Sequence, residues 1–157
     1  MAVVWRAVHT KMERVVALKL VRREFVKDEQ VREMFVREAR VGTRIGRNAH
    51  IVDFLDADID PDLGVPFLAM ELLEGEALDA RIKREGPIPA QVVAEVVEQL
   101  ADALDQAHGA GVFHRDLKPQ NLFLAKDKKG RVTLKVLDFG IAKLSDSVAQ
   151  RSEEHTS

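Results

Sequence analysis

Val112-Phe113-His114-Arg115-Asp116-Leu117-Lys118-Pro119-Gln120-Asn121 is the stretch around which this chain is organised. It sets a His, an Arg, an Asp, a Lys and an Asn within eight residues, 114–121. A helical apolar pattern precedes it and short apolar runs follow. Polar groups that dense between core-forming segments mark a loop held on a rigid scaffold, where chemistry tends to sit. Pro119 fixes its own φ and lacks an N–H, so the stretch is not a helix interior. After an alternating, strand-like run comes Asp138-Phe139-Gly140. Asp116, Asn121 and Asp138 are oxygen donors of the kind Mg²⁺ accepts together with phosphate oxygens. Alternatively, Asp116 accepts a proton from an attacking hydroxyl.

Composition narrows the setting. The chain has 157 residues, 46% of them hydrophobic and 32% charged, enough for one globular domain with a core. A net charge of −2 argues against a nucleic-acid binder that relies on a basic face. With no Cys there are no disulfides and no thiolate metal site, which fits a reducing compartment. No apolar run approaches a membrane span, and the first residues do not read as a signal peptide. No internal repeat or low-complexity linker is present.

Working outward, residues 1–8 read as a strand. Residues 13–21 alternate, with Val15, Ala17, Lys19 and Val21 on one face and Val16, Leu18 and Leu20 on the other. Both faces are mostly apolar, as in a strand covered on both sides. Lys19 therefore needs a partner or a route to water. Glu29–Ile45 is predicted helical, with Val31, Met34, Phe35, Gly42 and Ile45 on one stripe. Glu38 falls in the middle of that stripe, where a carboxylate is costly unless paired. Lys19 is its obvious partner. Residues 51–55 are expected to form a strand, with His50 a structural turn residue. The run Asp56, Asp58, Asp60 and Asp62 lacks the Gly and terminal Glu of a calcium loop and reads as a hairpin turn.

Residues 65–73 predict a strand and then a connector, and 78–83 a short helix ended by Gly86 and Pro87. Pro89 suits the first position of a helix carrying Val92, Val93, Val96, Val97, Leu100, Ala103, Leu104 and Ala107 at helical spacing. Gly109 and Gly111 end it. This helix is expected to be a long buried support for the catalytic loop, and His108 at its end a dipole-favoured residue without chemistry. Leu122-Phe123-Leu124 and then 132–136 are expected strands, joined by a charged turn.

The sequence from His114 to Asn121, followed by Asp138-Phe139-Gly140, resembles the signature set of protein kinases in residues, order and spacing. More narrowly it resembles serine/threonine protein kinases of the bacterial eukaryotic-like type. The resemblance implies an α+β, two-lobe protein-kinase-like fold, here truncated. The N-lobe is an antiparallel sheet plus one helix over about 1–73, and the start of a helical C-lobe runs over about 74–150. Met1 would fall inside the glycine-rich phosphate loop, so the first strand and two glycines are expected to be missing. Residues 151–157 resemble no kinase element, match one reading frame of a common sequencing adapter, and are expected to be a non-native tail.

The resemblance also implies roles. ATP would lie between the lobes, its adenine sandwiched by Val4, Ala17 and Phe123 and bonded by the hinge backbone at Glu71 and Leu73, next to a gatekeeper Met70. Lys19, steadied by Glu38, would contact the α- and β-phosphates. Asn121 and Asp138 would hold Mg²⁺ (or Mn²⁺), Asp116 would orient and deprotonate the acceptor, and Lys118 would stabilise the moving phosphoryl group. The implied partner is a protein substrate with a Ser or Thr acceptor, not nucleic acid, and the implied location of the catalytic domain is cytoplasmic. The fragment alone is expected to be inactive. A pseudokinase or scaffold and a kinase-like small-molecule phosphotransferase are the competing readings.

Overall fold

The computed structural model describes residues 2–139, with the side chains of residues 30, 34, 36–39 and 43 outside the described set. β1 (Ala2–His9) and β2 (Arg14–Val21) form an antiparallel hairpin. Helix α1 covers Glu29–Ile45, the span its apolar stripe predicts. β3 (Phe54–Ile59) and β4 (Pro66–Glu71) complete an antiparallel sheet ordered β1-β2-β4-β3. α1 lies on this sheet, burying Val31 and Phe35 against Val21 and Leu68, with Phe54 and Met70 packed alongside. A side chain at Gly42 would run into the Phe54 ring, so the helix needs glycine there to approach the sheet.

The second half begins with β5 (Gly75–Ala77), α2 (Leu78–Glu85) and α3 (Ala90–Gly109). The catalytic-loop stretch then leads into a hairpin of β6 (Leu122–Lys126) and β7 (Val132–Val136), and the small sheet runs β5-β6-β7. Its core joins Ile45 and Ile51 to Ala103, Ala107, Val112, Leu122, Leu124, Leu134, Val136 and Phe139. Ile45 and Ile51 bracket the link from α1 to β3, so that link is part of the second core. Its polar groups are fastened as well. Asn48 Nδ2 donates to Asp102 Oδ2 at 2.9 Å and to Gln106 Oε1 at 2.8 Å. Gln106 Nε2 donates to the carbonyls of Ile45 and Arg47 at 2.9 and 3.1 Å.

Four expectations need correction. The strand expected at 51–55 starts only at Phe54, because the backbone of 50–52 pairs with Val136 instead of β4: Val136 N–H donates to His50 O and Val52 N–H to Val136 O. Asp56 and Asp58 consequently lie within β3, and the turn begins at Asp60, whose Oδ1 accepts the N–H groups of Asp62 and Leu63. Pro89 is the residue before α3, with ψ 139°, and the helix starts at Ala90. Finally, α3 is not buried along its length. Ala103 and Ala107 are buried, but Val93 and Val97 are 44% and 56% exposed. Strand β5 has no counterpart among the expected elements; a Cβ at Gly75 would meet the Leu124 carbonyl, and only glycine lets the strands come this close.

Candidate active site

The chain leaves α3 through Gly111, whose φ of 72° suits glycine, and Val112 anchors the loop in the second core. His114 is 3% exposed. Its Nε2 lies 2.8 Å from the Leu137 carbonyl, and its Nδ1 lies 3.3 Å from the Asp116 backbone nitrogen. A carbonyl only accepts and an amide N–H only donates, so the proton belongs on Nε2. The imidazole thus ties the loop to the end of β7, and its ring packs against Phe139 at a centroid distance of 4.9 Å with the two planes tilted by 49°. Arg115 next to it has φ 59°, a left-handed conformation that costs a non-glycine residue about 1–3 kcal/mol. That strain is sustained beside the buried, doubly bonded His114.

Asp116 faces Lys118, with Nζ 2.7 Å from Oδ2. Pro119–Asn121 forms one turn of 3-10 helix, with the proline in its first positions, which brings Asn121 back toward Asp116. Asn121 is buried, and its Nδ2 donates to the Asp116 carbonyl at 2.9 Å and toward Asp116 Oδ2 at 3.4 Å. The amide oxygen is left as the acceptor end of that side chain.

Asp138 reaches the same place from β7. Leu122 pairs with Val136, and Leu137 N–H donates to the Asn121 carbonyl at 2.9 Å, so Asp138 follows immediately after a residue bonded to Asn121. Asp138 has φ 45°, and Phe139, 2% exposed, sinks into the core beneath it. Lys19 comes from the other sheet: its Nζ lies 2.9 Å from Asp138 Oδ1, joining the two halves across 119 positions of sequence.

The described contacts form two groups, Lys19 with Asp138 and Lys118 with Asp116 and Asn121, linked through the Leu137–Asn121 backbone bond, with each carboxylate within 3 Å of an ammonium group. The expected partner of Lys19, Glu38, has its side chain outside the described residues, and Gly140 lies outside them entirely. Val4 pairs with Lys19 across β1 and β2, and Ala17 pairs with Met70 across β2 and β4, so both belong to the sheet carrying Lys19. Val4 is 59% exposed. Phe123 sits on β6 opposite Ala77. Glu71 closes β4, and Leu73 follows in the connector to β5.

A divalent cation fits the donor set. Mg²⁺ is commonly held by one or two carboxylates with substrate phosphates and water filling its octahedron, so a preformed cage is not required. Among the described residues no group of three or more His, Cys, Asp or Glu is placed to hold a metal. Asp138 carries a carboxylate and Asn121 an amide oxygen, two oxygen donors of the kind that an open site of this type takes.

Two features escape sequence reasoning. His114 carries no task in the sequence pattern, and its burial between Asp116 and Leu137 assigns one. Lys135 on β7 reads only as the polar side of an alternating strand. Its Nζ lies 2.6 Å from Glu71 Oε1 and 3.2 Å from the Ile51 carbonyl. The one signal available is a lysine on a strand otherwise built to be buried.

The family model described as protein kinase domain matches residues 1–157. The chain is 39% identical over 149 residues to the serine/threonine-protein kinase pkn3 of Myxococcus xanthus, covering 94% of this chain and 26% of that protein. It is 42% identical over 143 residues to the serine/threonine-protein kinase PknH of Mycobacterium tuberculosis, covering 90% of this chain and 22% of that protein. It spans about a quarter of the length of these relatives. Its fold is similar to the crystal structure of the PknI kinase domain of Mycobacterium tuberculosis, with a TM-score of 0.73 and 29% identity, covering 89% of this chain and 53% of that one.

Proposed function

This chain belongs to the protein kinase family, and from that premise we propose that the complete protein transfers the γ-phosphoryl group of ATP to a serine or threonine hydroxyl of a protein substrate. The observation that carries the reading is the ion pair that joins Lys19 of the first sheet to Asp138 beyond β7, together with the Lys118–Asp116 pair on the loop bonded to the same segment. Two carboxylates and two ammonium groups at a loop are suited to phosphate oxygens and to a hydroxyl at once.

In this reading Lys19, with Glu38 behind it, holds the α- and β-phosphates. Val4, Ala17 and Phe123 close on the adenine, and the backbone at Glu71 and Leu73 hydrogen-bonds its edge. Asp138 and Asn121 hold Mg²⁺ or Mn²⁺, which when bound neutralises charge on the phosphates. Asp116 accepts the hydroxyl proton of the substrate. Lys118 stabilises charge on the moving phosphoryl oxygens and, two residues after Asp116, supports Ser/Thr over Tyr as acceptor. Catalysis is then chiefly positioning and charge neutralisation. Of the three non-glycine residues with positive φ among those described, Glu13 lies in the β1–β2 turn, while Asp138 is one of these groups and Arg115 precedes Asp116, in keeping with a preorganised site.

Among the described residues no helix is long and apolar enough to cross a membrane. We place the catalytic domain in the cytoplasm, where ATP is available. The present stretch, which covers about half of a solved kinase domain, is expected to be inactive by itself.

The test is transfer from labelled Mg·ATP, by the complete protein, to Ser/Thr peptides, Tyr peptides and aminoglycoside-like acceptors. Labelling of Ser/Thr peptides alone supports the proposal. Nucleotide binding without transfer to any acceptor would favour a scaffold, and labelling of the small molecules alone a small-molecule phosphotransferase.

A further inference from the structure

The connector between the two sheets is residues 72–74, and both of its ends are fastened to the β6–β7 hairpin. At the far end Lys126 N–H donates to the Glu74 carbonyl at 2.7 Å. At the near end the fastening is a side chain: Lys135 Nζ, 2.6 Å from Glu71 Oε1. The same Glu71 oxygen accepts Asp53 N–H at 2.9 Å, and Lys135 also donates to the Ile51 carbonyl at 3.2 Å. Both side chains are largely shielded, at 15% and 21% exposure. Lys135 therefore touches the last residue of β4, the link after α1, and the strand that delivers Asp138 three positions later. A shielded charge-assisted bond of this length is among the stronger polar contacts a protein makes.

We infer that Lys135 is a positioning residue for nucleotide binding: through Glu71 it sets where the connector backbone lies relative to Asp138. This inference rests on the functional reading above. Glu74 is held by a backbone bond that no side-chain change removes. Among the described residues Glu71 is held to the hairpin directly only by Lys135, so its placement is the one that a single substitution releases. Lys135 reaches neither of the clustered carboxylates in the contacts described, so losing it should disturb where ATP sits more than the transfer step.

The experiment is steady-state kinetics of the complete protein with ATP and a Ser/Thr peptide. Loss of a hydrogen bond to a charged group predicts that Lys135→Met raises KM for ATP about tenfold with kcat within about threefold of wild type. Lys135→Arg, which keeps a cation, should stay near the wild-type KM, and Glu71→Gln, which keeps an acceptor oxygen, should fall between. Glu71→Ala combined with Lys135→Met should raise KM no further than the worse single change, since both break one contact. Should Lys135→Met fail to fold, Lys135→Gln is read by the same KM. Leu124→Ala, a core change in the same hairpin, controls for loss of stability: it should lower the unfolding temperature without moving KM. Wild-type KM in Lys135→Met (or in Lys135→Gln where that variant replaces it), or an equal rise in Leu124→Ala, would overturn the positioning role while leaving the functional reading intact. A wild-type protein that transfers nothing from Mg·ATP would overturn that reading, and this inference with it.

Discussion

Lys19 and Asp138 meet at 2.9 Å, yet they come from sheets held in different ways. The side carrying Asp138 has the larger core, running from Ile45 through α3 to Phe139, and its loop is stitched by His114, Asn121 and Leu137 into one hydrogen-bonded unit. On the side carrying Lys19 a smaller cluster supports the sheet, and its edge strand β1 leaves Val4, Trp5 and Val8 more than half exposed. Under the function proposed above, the difference would separate two tasks: groups assigned to the transfer step lie on the interlocked half, and Lys19, assigned to the nucleotide, lies on the half with fewer buried contacts, where local opening costs less.

The largest effects test that division directly. In the complete protein, Asp116→Asn should lower phosphoryl transfer by about 10²–10⁴-fold, the size of a general-base contribution, with nucleotide affinity little changed. Asp138→Asn should remove metal-dependent turnover. Kinetics paired with equilibrium nucleotide binding would check both, and near-normal transfer in Asp116→Asn would refute the role given to it.

Stability changes should follow the same boundary. Leu134 is 1% exposed at the centre of the larger core, and Leu134→Ala should cost about 2–5 kcal/mol in urea unfolding, a large share of a domain's about 5–15 kcal/mol. His114→Ala leaves the Leu137 carbonyl and the Asp116 N–H without a side-chain partner. It should cost about 1–3 kcal/mol and speed hydrogen exchange at the amides of Asp116 and Asn121. If exchange accelerated equally in β1 and β2, the loop would not be the separate unit described.

Smaller still is the effect expected on the outer face of α3. Val97→Lys should shift stability by no more than about 0.5 kcal/mol, because the residue is 56% exposed, while reducing binding of an apolar dye to the 157-residue chain. Unchanged dye binding would mean that this face is not the exposed apolar surface. The smallest effect concerns the β6–β7 turn. The backbone N–H and then the guanidinium of Arg131 hold the Asp127 carboxyl below its ordinary range. A depressed folded value means that the contribution is present above the unfolded pKa and fades as pH falls through the folded one. An NMR titration should find the Asp127 midpoint below the ordinary aspartate value of 3.8, and Asp127→Asn should flatten the acid limb of stability slightly.

The sequence by itself determined what is local. The apolar stripe of α1 has the period of a helix, and the helix runs over the predicted span. The residues from His114 to Asn121 and the Asp-Phe-Gly that follows could be read together as a candidate site because their side-chain chemistry lies within short stretches. Tertiary structure decided the rest. Periodicity says which face of α3 is apolar but not what covers it, so only the tertiary structure decided that Ala103 and Ala107 are buried while Val93 and Val97 meet water. The start of β3 depended on whether 50–52 would pair with β4 or with Val136, a contest between strands far apart in the chain. Lys135 and Glu71 are 64 positions apart, and neither residue type announces the other. Such pairings are set by register and by which faces the two cores bring together, and a one-dimensional pattern carries no distance across them.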